Sequence, residues 1–113
     1  MITIYHNSRC SKSRDGVCFL EEMQQPFETV NYLENTPTKA KLKALLKKLK
    51  MTPIELVRKK EPLWIEKYKG QELNDDEIIQ IMVKNPILIE RPIVVNGNKA
   101  VIARPIERIN EIL

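Results

Sequence analysis

Residues 1–33 read MITIYHNSRCSKSRDGVCFLEEMQQPFETVNYL, and their pattern sets the architecture. Residues 2–6, ITIYH, are a β-branched and aromatic run of strand type. Residues 11–24 carry Val17, Leu20 and Met23 at helical spacing, and Pro26 closes that helix. Residues 27–33, FETVNYL, alternate and read as a second strand. A strand, a crossover helix and a strand predict a βαβ unit with parallel strands.

The other end of the chain supplies a complementary unit. In residues 85–113, NPILIERPIVVNGNKAVIARPIERINEIL, residues 93–95 form a strand. Asn96-Gly97 is a tight hairpin signal, and residues 100–103 are the returning strand. Pro105 suits the first turn of a last helix that turns Ile106, Ile109 and Ile112 inward. Between the two units, Leu42, Leu45, Leu46 and Leu49 mark an amphipathic helix. Thr52, Pro53 and Glu55 give an N-cap, a first-turn proline and a capping-box acid. They predict a short helix with Ile54 and Val57 inward and Arg58 near its end. Asn74 and Glu77 repeat the capping signal before Ile78, Ile81 and Met82, and Pro86 ends that helix. The order βαβ, helices, ββα predicts an α/β fold: a four-stranded mixed sheet flanked by helices, with a helical insertion between the βαβ and ββα parts. No repeat or linker divides it, so residues 1–113 are expected to form a single domain.

Composition narrows the function classes. The chain has 113 residues, 42% of them hydrophobic and 30% charged, with one histidine and two cysteines. That set makes no credible zinc site, and no apolar stretch reaches transmembrane length. No secretory leader pattern opens the chain, so the expected compartment is the cytosol and the expected state of Cys10 and Cys18 is the free thiol. Residues 39–60 hold nine basic residues against the one acid Glu55. The economical reading is the solvated face of a helix. Aromatic residues are 5% of the chain and do not interleave with basic ones, which disfavours nucleic acid as a partner.

Cys10 lies at the strand-to-helix transition, where the free N–H groups of a first helical turn stabilise a thiolate and a neighbouring oxyanion alike. Arg9, Lys12 and Arg14 add positive charge, Ser11 and Ser13 add hydroxyl donors, and His6 stands four residues upstream. A basic, hydroxyl-rich turn is poorly suited to bury a cysteine, which favours chemistry at Cys10. Cys18, beside Val17 and Phe19, reads as a packing residue. Eight residues of helix would separate the two sulfurs by on the order of 10 Å, beyond the roughly 7 Å Cα limit of a disulfide. Position 13 is serine, so the chain lacks a C-x-x-C pair.

YHNSRCSKSR near the start, LVRKKEP in the middle and NPILIERPIVVNGNKAVIARPIE near the end together resemble the glutaredoxin-linked arsenate reductase family. The likeness spans nearly the whole chain, in order and at similar spacing. It implies a thioredoxin-like fold. It also implies that Cys10 is the nucleophile, in an oxyanion-cradling loop comprising Asn7, Ser8, Arg9, Ser11 and Lys12. The family's three arginines fall on Arg58, Arg91 and Arg104, and its upstream histidine on His6. Ser13 and Arg14 match its first-turn hydroxyl and basic residue, and Pro92 matches a proline that is typically cis. The implied function is reduction of arsenate to arsenite, with no bound cofactor, glutathione as co-substrate and glutaredoxin as partner. Guanidinium forks suit a tetrahedral oxyanion and screen its approach to a thiolate.

Two other readings remain open at this point. Relatives of this family act as redox-responsive regulators that bind RNA polymerase, although those carry the C-x-x-C pair that Ser13 breaks. A general thiol oxidoreductase without arsenate specificity is the other.

Overall fold

The computed structural model describes residues 2–6 and 11–113, with side chains described for residues 2–6 and 14–113. Two compact units emerge: Met1–Asn35 with Arg91–Leu113, and Thr36–Glu90.

The first unit is the sheet. It holds strand β1 (Ile2–His6), helix α1 (Ser11–Glu22), strands β2 (Phe27–Asn31), β3 (Ile93–Asn96) and β4 (Lys99–Ile102), and a terminal 3₁₀ helix, Ile106–Ile112. Strand order is β2-β1-β3-β4. β1 pairs in parallel with β2, in the register Ile4↔Thr29, and antiparallel to β3, in the register Ile4↔Val94. β3 pairs antiparallel to β4, so the sheet is mixed as the sequence predicts. A core of Ile2, Ile4, Leu20, Val94, Val101, Ala103, Ile109 and Ile112 fills it, with Val17, Phe19, Phe27 and Ile106 packed against it. In the hairpin, Gly97 takes the first central position at φ +64, and Asn98 stays at negative φ, the arrangement of a type II′ turn.

The terminal helix is 3₁₀ rather than α. Ile106, Ile109 and Ile112 recur every third residue, and a helix of three residues per turn stacks them on one line facing the core. Pro105 stands before that helix as its N-cap instead of in its first turn. Cys18 corrects a second expectation. It is exposed, with a free thiol, because α1 turns Gly16 and Leu20 to the core and Cys18 lies on the opposite side.

The second unit contains helices α2 (Lys39–Leu49), α3 (Pro53–Leu56), α4 (Pro62–Lys67) and α5 (Asp75–Lys84), and a 3₁₀ turn, Pro86–Leu88. α5 packs against α2, α3 and that turn. Thr38 caps α2 by accepting the Lys41 N–H at 3.2 Å, and Leu42, Leu45 and Leu46 face inward. The basic block is largely solvated, as expected of such a face, and Asp76 pairs with Lys39 at 3.6 Å and Lys43 at 3.3 Å. Both capping boxes form: Thr52 N–H donates to Glu55 Oε1 at 2.9 Å, and Glu77 N–H donates to Asn74 Oδ1 at 2.9 Å. α3 has a single turn, and its inward residues are Pro53 and Leu56 rather than Ile54. Val57 is buried, but through an isolated antiparallel bridge with Ile89 beyond the helix end.

Helix α1 approaches the sheet through Gly16. A Cβ there would lie 2.8 Å from Ile4 Cδ1, 3.3 Å from Pro92 Cγ and 3.4 Å from Ile106 Cδ1. Gly→Ala in an open helix is worth roughly 1 kcal/mol of stabilisation. Here the overpacking should outweigh that gain, and Gly16→Ala is expected to lose about 1 kcal/mol in urea unfolding. A stabilised Gly16→Ala would mean that Ile4 has room to yield.

Candidate active site

α1 begins at Ser11, directly after Cys10 in the chain. The first N–H groups of a helix lack intrahelical acceptors, so this end is electropositive. Arg14 and Asp15 are exposed on its first turns. Asn7, Ser8, Arg9 and Cys10 lie outside the described residues, as do the side chains of Ser11, Lys12 and Ser13.

His6 closes β1, opposite Asn31 of β2. It is half-buried, and its Nδ1 is buried without a hydrogen-bond partner among the described residues. Desolvation lowers its pKa from the ordinary value, favouring the neutral ring.

Arg91 and Arg104 come together where β3 begins and β4 ends. Arg104 Nε donates to the Arg91 carbonyl at 2.7 Å, and Ala103 N–H donates to the Pro92 carbonyl at 2.9 Å. Among the described residues, Arg91 is the one buried charged side chain, at 9% exposure. Both peptide bonds that follow these arginines, Arg91–Pro92 and Arg104–Pro105, are cis. Asp15, Ala103, Arg104, Pro105, Ile106 and Glu107 line a cavity of about 370 Å³. Asp15 and Glu107 thus share that cavity with Arg104; Glu107 ends the third quoted motif, whereas Asp15 lies outside all three.

In the helical unit, Arg58 stands one residue past Val57 and is half-buried. Its Nε lies 3.6 Å from Glu61 Oε2 and its Nη1 lies 3.7 Å from Glu90 Oε1. Glu61 has a local signal, the i,i+3 spacing from Arg58. Glu90 has none, because it reaches Arg58 through the pairing of segments more than thirty positions apart in the chain.

Residues 5–112 match the ArsC family. The chain belongs to that family. Among curated relatives, the uncharacterized protein YfgD of Escherichia coli is 46% identical, over 99% of this chain and 96% of its own length. An arsenate reductase of Neisseria meningitidis is 37% identical, over 99% of this chain and 97% of its own. Among solved structures, an arsenate reductase from Vibrio cholerae is 39% identical and superposes with a TM-score of 0.94 over 99% of this chain and 97% of that one. The ArsC chain therefore has a thioredoxin-like fold with a helical insertion, as its motifs imply. Among the described residues no group of three or more His, Cys, Asp or Glu side chains stands ready to hold a metal. No described helix is long and apolar enough to cross a membrane.

His6 gives a direct test of site electrostatics. Its ordinary value is 6.5 and its folded value lies lower, so below about pH 6.5 the unfolded chain binds the proton more readily. The contribution of His6 to stability is complete above that pH and is lost as pH falls through the lowered folded value. The His6 ring resonances should titrate with a midpoint below 6.5 in native protein. A midpoint at or above 6.5 would mean that burial does not govern this ring.

Proposed function

We propose that this ArsC protein reduces arsenate to arsenite with glutathione and glutaredoxin, through Cys10 as its single nucleophile. The near end-to-end match to the ArsC family and to relatives named arsenate reductases carries the reading. The sheet unit adds support, with an electropositive helix start after Cys10 and Arg91 and Arg104 held side by side by a hydrogen bond.

In this reading the Cys10 thiolate attacks arsenic, a Cys10–S–As bond forms, and one oxygen leaves as water once protonated. Asn7, Ser8, Arg9, Ser11 and Lys12 form the loop around the oxyanion, and Arg58, Arg91 and Arg104 neutralise its charge. Ser13, Arg14 and His6 favour the thiolate, and Pro92 faces it. Glutathione adds as the second thiol. Arsenic takes two electrons from the two sulfurs, which leave joined as a Cys10–glutathione disulfide while arsenite departs. Glutaredoxin then reduces that disulfide. No second cysteine of this chain takes part, so the resolving thiol comes from outside, and residues 1–113 act as one domain.

Two expectations test it. Cys10→Ser should abolish arsenite formation, whereas Cys18→Ser should keep most of it, because Cys18 is exposed and outside the proposed chemistry. Mass spectrometry of protein trapped in turnover should find glutathione or arsenic on Cys10. A Cys10–Cys18 disulfide together with an inactive Cys18→Ser would sink the external-thiol route. Lysine at Arg58, Arg91 or Arg104 keeps the charge but loses the planar fork. Each replacement should cost at least ~10-fold in kcat/KM for arsenate. Full activity in all three lysine variants would make these arginines bystanders.

A further inference from the structure

Residues 56–58 and 88–90 are joined by the antiparallel bridge Val57↔Ile89. Arg58 N–H donates to the Leu88 carbonyl at 2.7 Å, and Glu90 N–H donates to the Leu56 carbonyl at 2.9 Å. That pairing brings Glu90 to one side of the Arg58 guanidinium. Glu61 comes from the following turn, where its N–H donates to the Arg58 carbonyl at 3.1 Å. The side chains of Arg58, Glu61 and Glu90 are 19%, 20% and 28% exposed, so water screens their charges only partly.

The two separations from guanidinium to carboxylate, 3.6 and 3.7 Å, exceed hydrogen-bond length. Arg58 Nε is buried and donates to no acceptor among the described residues. A buried guanidinium N–H without an acceptor is costly and calls for an explanation. Two carboxylates at this range orient the guanidinium by charge while leaving its donors unspent. The side chain is still 19% exposed, and a tetrahedral oxyanion offers acceptors of the kind a guanidinium fork takes.

We infer that Glu61 and Glu90 are positioning residues, a carboxylate clamp that holds Arg58 as an oriented, unspent donor for the oxyanion substrate; this rests on the proposed role of Arg58. The clamp has a kinetic signature. Two carboxylates repel an incoming anion, so they weaken ground-state binding while fixing the fork for the transition state. Removing their charge should therefore lower kcat without raising KM.

The test combines kinetics with a turnover-free readout. Arsenate reduction is measured with excess glutathione and glutaredoxin for Glu61→Gln, Glu90→Gln and the double variant, each also in an Arg58→Lys background. Glu61→Asp and Glu90→Asp keep the charge and serve as rescue variants if the amides fold poorly. The Nε–H signal of Arg58 is followed by NMR in arginine-labelled protein during titration with inorganic phosphate. The double amide variant should lose about tenfold in kcat with KM unchanged or lower. The aspartates should recover part of that loss, and in the Arg58→Lys background the amides should change kcat less than twofold. The Arg58 signal should be displaced in the ligand-free amide variants and should answer phosphate less than in the wild type. The clamp is overturned by an Arg58 signal indifferent to both amides, by a rise in KM at unchanged kcat, or by a loss that persists undiminished in the Arg58→Lys background. A wild type that reduces no arsenate sinks the proposed function instead, and the NMR comparison still decides the clamp.

Discussion

The close approach of α1 to the sheet at Gly16 is the constraint on which the sheet unit depends. A missing side chain lets the helix backbone come down onto Ile4 of the central strand, beside Pro92 and Ile106. Four segments distant in the chain thereby share one contact. β1 is held from both sides, parallel to β2 and antiparallel to β3, so neither its register nor its direction is free. With β1 fixed and α1 seated, the end of the strand at His6 and the start of the helix at Ser11 are fixed as well, and the proposed nucleophile Cys10 lies between them in the chain.

The charged groups follow a consistent electrostatic logic. Arg91 is buried, and burying a guanidinium is unfavourable unless structure compensates it. Its segment is tied to the end of β4 by Arg104 Nε on its carbonyl and by Ala103 N–H on that of Pro92. Within the helical unit, two carboxylates lie at ion-pair range from Arg58. The lysines of α2 and neighbouring residues are, by contrast, ordinary solvated charge. Asp76, which pairs with Lys39 and Lys43, is itself exposed, and pairs of that kind contribute little to stability. The lysines of the basic stretch are therefore less informative than its Arg58, or than Arg91 and Arg104.

Local signals in the chain determined a great deal. Alternation, β-branched runs and the turn signal located the four strands, and period-3.6 patterns located α1, α2 and α5. The Thr52–Glu55 and Asn74–Glu77 pairs marked helix starts that form as capping boxes. Asn96-Gly97 marked the hairpin, and Ile106, Ile109 and Ile112 marked the inward side of the last helix. The motifs around Cys10, Arg58, Arg91 and Arg104 were sufficient to indicate the family. All of these depend on residues within one or two turns of each other, where backbone geometry and sequence spacing are directly linked.

Only the tertiary structure decided the rest. Cys18 sits within a hydrophobic stretch of sequence, yet the side of α1 that meets the sheet is chosen by Gly16 and Leu20, and Cys18 is left exposed. Gly16 itself carries no signal in the sequence, because its importance lies in what approaches it. Glu90 reaches Arg58 only through the Val57–Ile89 bridge, and Asp15 comes to line one cavity with Arg104 and Glu107 only through the seating of α1 on the sheet. Each is a contact between distant segments. Sequence spacing encodes periodicity along the chain, whereas such contacts depend on how the elements pack once they have formed.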